Sequence, residues 1–89
     1  MAYSGMNAAA VEKVARDLST CSGRIDAVLS SVDSVVARTQ SAWVGVDASR
    51  FASNWHSNRS SLSAVSNSLK SLSRSAYNQA SAQRKASNG

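Results

Sequence analysis

Proline is absent from the 89-residue chain, and cysteine occurs once, at position 21. With no proline, no interior amide is missing and no ring clashes with a preceding turn, so long helices can run unbroken. A lone Cys21 cannot form an intrachain disulfide, and no cysteine cluster exists to hold a metal. Aromatic residues are few: two tryptophans, two tyrosines and one phenylalanine. Glycine occurs at positions 5, 23, 45 and 89, which leaves Gly23 and Gly45 to punctuate the interior. Carboxylates are scarce too, five against ten Lys and Arg, and none follows Asp47. The first seven residues lack a basic start joined to an apolar run, and no stretch is long enough to span a bilayer. The expectation is a protein that stays in the cytoplasm or leaves it without a cleaved leader.

Catalytic constellations are missing as well. His56 is the only histidine, and with the carboxylates confined to the first 47 positions it belongs to no evident triad or metal set. The twenty serines have no general base at helical spacing, and no glycine-rich phosphate loop is present. No enzyme activity, cofactor or metal is expected.

What the chain does contain is a regular apolar rhythm. In the first half it runs Val11, Val14, Leu18, Cys21, Ile25, Val28, Val32, Val35, Thr39 and Ala42. In the second it runs Ala48, Phe51, Trp55, Asn58, Leu62, Val65, Leu69, Leu72, Ala76 and Gln79. Steps of three and four alternate throughout, the a/d heptad of packed helices, with Val11 and Ala48 each the first a position. This regularity argues against a disordered serine-rich chain.

Folding the chain back at Gly45 sets the two series opposite each other. Val35 then meets Trp55, Val28 meets Leu62, Ile25 meets Val65, Cys21 meets Leu69, and Leu18 meets Leu72. The predicted fold is all-α, one antiparallel hairpin domain over 1–89. Helix one is expected over about 8–42, the turn over 43–46, helix two over about 47–83, and a frayed tail to 89. Asn7 and Asp47 are the expected N-caps, Gly45 the left-handed end of helix one, and Val46 with Phe51 a hydrophobic staple. Phe51 and Trp55 are expected in the core, and Cys21 as a small buried hydrophobe. Asn58 and Gln79 are polar seam positions, suited either to fixing register or to a splayed, wet end.

The apolar stripe of helix one is too wide for a two-helix rod, because Ala15, Leu29 and Val36 flank it at e positions. Helix two is flanked mainly by small residues, Ala52, Ser66, Ser73 and Ala80 among them, which admit a close neighbour. The inference is a four-helix bundle built from two hairpins, identical or related, with a marginal monomer as the alternative. The excess of five positive charges lies after Ala42, where Arg50, Arg59, Lys70, Arg74, Arg84 and Lys85 face Asp47 alone. Such a surface favours an acidic partner.

At the pivot of the reflected heptad stands Ser41-Ala42-Trp43-Val44-Gly45, a Trp-Xaa-Gly between two long helices, followed by Phe51 and Trp55. This resembles the WXG family of small helical-hairpin proteins exported by type VII secretion systems, and the likeness covers nearly the whole chain. The resemblance implies a secreted hairpin without a cleaved signal peptide, paired as a homodimer or heterodimer and recognised by the secretion ATPase. Trp43 and Gly45 would carry the family's motif. Members with their own export signal end in Tyr-Xaa-Xaa-Xaa-Asp or Glu. Here Tyr77 is the candidate and Ser81 stands where the acid would be, which implies export on an acidic relative or by another signal. A competing reading is electrostatic binding of nucleic acid, but the cations are spread around helix two and not gathered on one side. Serine-rich polar faces of low cationic density argue against a membrane-active hairpin.

Overall fold

A computed structural model describes residues 6–88; Met1 to Gly5 and Gly89, which belong to the expected start and tail, lie outside them. Two helices form the fold, α1 (Ala8–Ala42) and α2 (Val46–Asn88). They lie antiparallel in a rod of 65 × 16 × 15 Å. The long dimension matches the 43 residues of α2 at about 1.5 Å each. Helix α2 therefore runs beyond the expected end near 83.

Asn7 caps α1 as its sequence suggests, its Oδ1 accepting the Ala10 amide at 3.1 Å. The other end of α1 closes at Trp43, whose backbone is extended and whose amide donates to the Thr39 carbonyl at 2.8 Å. Gly45 has φ +127°, but it stands directly before α2 and not at the end of α1. Its carbonyl accepts the Ser49 amide at 3.2 Å, the first bond of the second helix. Asp47 is thus inside the first turn of α2 and is not its cap. There its charge faces the free amides at the positive end of the helix. The Val46–Phe51 staple does not form, since Val46 is 72% exposed. Phe51 meets Trp43 instead, ring centroids 5.9 Å apart and planes tilted by 48°, a favourable aromatic geometry.

The two helices touch along a different line from the a/d seam. The buried residues of α1 are Ala15, Ser22, Leu29 and Val36, every one an e position. Across from them the buried residues of α2 are Ala48, Ser66 and Ala80. Ser22 and Ser66 share a hydroxyl hydrogen bond of 2.9 Å, and Ser73 donates to the Ala15 carbonyl at 2.6 Å. These pairs reflect about Val44, one residue before the glycine.

Small side chains explain the rotation. Alanine and serine at Ala15, Ser22, Ser66, Ser73 and Ala80 let the two backbones approach closely, which the bulkier d residues of α2, Phe51, Val65 and Leu72, would prevent. The a residues Leu18, Ile25, Val32, Trp55 and Leu69 flank that line half-buried. Cys21 is exposed, so it is not buried against Leu69.

Candidate pairing face and turn motif

The rotation gives the rod two unlike long sides. Residues one position before the central Ser22 and Ser66 series turn to one side on both helices. That side carries Val14, Cys21, Val28 and Val35 from α1, and Phe51, Val65 and Leu72 from α2. Leu62 joins them, lining an apolar notch with Ile25, Val28 and Leu29. Each of the large members except Cys21 is between 40% and 56% exposed. Of the seam positions read from sequence, then, the a residues divide between the helices and the d residues face outward.

Residues four positions after the central series turn to the opposite side, and there the helices are tied by ions. Lys70 reaches Asp26 at 3.0 Å, and the Ser66 hydroxyl donates to the other oxygen of that carboxylate at 2.7 Å. From the central series itself, the Arg59 Nε reaches across to donate to both oxygens of Asp33 at 2.9 Å, while the Trp55 indole N–H donates to one of them at 2.8 Å. Arg84 closes the open end of the hairpin on Glu12.

All three carboxyls are held below their ordinary ranges. For Asp33 the leading cause is the Trp55 hydrogen bond, then Arg59; for Asp26 it is Ser66, then Lys70; for Glu12 it is Arg84. Sequence reading did not single out this network, although Glu12, Asp26 and Asp33 share one heptad position. That repeat beside a cation-rich second helix was the available signal. Trp55, expected as plain core, is half-buried with a polar task.

The turn exposes a second cluster. Trp43 is 42% exposed, Val44 90% and Val46 72%. A shallow recess there is lined by Gln40, Trp43, Val44, Gly45, Ala48 and Ser49. Tyr77 lies on α2, 56% exposed, with Ser81 one turn later half-buried. His56 is exposed. Among the described residues no group of three potential metal ligands converges, and no helix is long and apolar enough to cross a membrane.

No curated protein and no solved structure matches the chain significantly. The family described as proteins of 100 residues with WXG matches over residues 5–86. Nearly the full length is covered, and Trp43-Val44-Gly45 stands at the turn of an observed helical hairpin. The chain therefore belongs to the WXG100 family, the small helical proteins associated with type VII secretion.

Proposed function

We propose that the protein is a non-enzymatic type VII secretion substrate or co-secreted partner. Its apolar side packs against a second hairpin of the same kind to form a four-helix bundle, and its turn presents Trp43 to the export machinery. The observation that carries this reading is the exposed stripe of Val14, Val28, Val35, Leu62, Val65 and Leu72. It runs along both helices of a rod whose buried apolar residues, among those described, are only Ala15, Leu29, Val36, Ala48 and Ala80. Contiguous apolar surface of this kind marks a contact site, and a hairpin with so small an interior gains much of its stability by covering it.

Family membership supports the secretion reading, as does the position of Trp43, which is accessible beside its partner ring Phe51. Tyr77 is displayed without a following carboxylate, so this reading has the chain leave with a companion that supplies the tail signal. Nucleic-acid binding loses ground, because Arg59, Lys70 and Arg84 are engaged by carboxylates of α1 and not offered to phosphates.

The test is export from the native host. Trp43→Ala should leave the helical signal and the assembly intact while lowering the amount of protein outside the cell. Unchanged export would remove the motif role. Loss of helix would make Trp43 a structural residue.

A further inference from the structure

All five carboxylates of the chain are engaged within it. Glu12 pairs with Arg84, Asp17 with Lys13, Asp26 with Lys70, Asp33 with Arg59 and Asp47 with Arg50. Among the described residues this leaves Arg16, Arg24, Arg38, Arg74 and Lys85 without a carboxylate, and these five account for the net charge of +5. Because α2 lends three cations to the carboxylates of α1, three of the five unpaired cations lie on α1.

Two of them border the apolar side. Arg24 lines the notch formed by Ile25, Val28, Leu29 and Leu62. Arg38 lies two heptads further on at the same g position, roughly 21 Å away along the helix. Position g flanks the outward d residues, and charges there choose the partner when helices pair. The remaining g positions of this edge are Asp17, already held by Lys13 at 2.8 Å, and the neutral Ala10 and Ser31. On α2 the matching edge carries Asp47, paired with Arg50 at 3.6 Å, and then only the neutral Asn54, Ser61, Ser68, Ser75 and Ala82.

We infer that the natural occupant of the apolar side is an unlike hairpin carrying two carboxylates spaced two heptads apart, placed to meet Arg24 and Arg38. This rests on the pairing reading above and names the partner's chemistry. A second copy brings the same two guanidiniums to the edge, and its own edge carboxylates, Asp17 and Asp47, are already paired within their helices with Lys13 and Arg50. Like charges across an interface edge suppress pairing with the wrong partner.

The experiment uses the full chain and its charge-reversed variant, Arg24→Glu with Arg38→Glu, as a surrogate acidic partner. Both substitutions are on exposed side chains, and circular dichroism checks that each protein remains helical. Sedimentation then measures self-association of each chain and association of the mixture, in low salt and at about 0.5 M salt, where charge effects are screened. The mixture should associate about tenfold more tightly than either chain alone in low salt, and high salt should erase that difference. A stable wild-type dimer in low salt, with no gain on mixing, would overturn the inference and make a second copy the occupant. If no combination associates at either salt, the pairing reading itself fails. Leu62→Asp in the mixture identifies the face: the inference requires association to fall, and unchanged association overturns it.

Discussion

The two interior glycines make opposite cases. Gly23 sits within α1 and a Cβ there would meet nothing within 4 Å. Gly23→Ala should therefore stabilise the hairpin by about 0.5–1 kcal/mol, through the lower entropy of the unfolded chain and better helix propensity. Gly45 also has open space around it, but its φ of +127° is one that L side chains rarely adopt. Gly45→Ala should destabilise the hairpin by about 1–2 kcal/mol, and the whole cost is backbone strain. Thermal melts of the two variants should move in opposite directions; a shared direction would refute the assignment of Gly45 to a strained turn. Ser66 is a third distinctive position, fully buried and bonded to Ser22 and Asp26. Ser66→Ala should cost about 1–3 kcal/mol by leaving the Ser22 hydroxyl without its buried partner and removing a bond from Asp26, read as a lower denaturant midpoint at unchanged slope.

The helices are held to each other by a thin apolar line and by one charged flank, so acid should loosen them. Folding lowers the proton affinity of Glu12, Asp26 and Asp33. A lowered carboxyl contributes stability that is complete above its unfolded value, near 3.8 for Asp and 4.5 for Glu. That contribution drains away as pH falls through the lower folded values. The melting temperature should therefore fall as pH drops from about 5 towards 2. Asp26→Asn with Asp33→Asn should lower stability at neutral pH and flatten that acid limb. An unchanged limb in the double variant would place the acid sensitivity elsewhere. The basic second helix is thereby explained in part: three of its cations hold it to α1.

Two valine-to-leucine neighbours separate folding from assembly across the rod. Leu29 is 3% exposed at the centre of the helix contact, whereas Val28 beside it is 56% exposed on the apolar side. Leu29→Ala should destabilise the hairpin itself by about 2–4 kcal/mol. Val28→Asp should leave the isolated hairpin helical yet abolish pairing with another hairpin. Circular dichroism together with sedimentation separates the two effects, and loss of helix in Val28→Asp would put that residue in the hairpin interior after all.

Much of this architecture was legible in the amino-acid order. The absence of proline, the unbroken heptad and Asn7 define one long helix, and Trp43-Val44-Gly45 marks the reversal and the family. The excess width of the stripe, seen in Ala15, Leu29 and Val36, already implied more contacts than one neighbour could use. Periodicity states which residues form a stripe, but not which edge of it the chain's own second helix will cover. That choice belongs to the folded packing, where alanine and serine at e allowed the closer approach and turned Val14, Cys21, Val28 and Val35 outward. The pairing of charges was likewise settled in three dimensions, because residues far apart in sequence such as Glu12 and Arg84 meet only once the hairpin closes. Local spacing determines helices and their apolar faces; the rotation of one helix against another depends on side-chain volume across the contact, and that is a property of the pair.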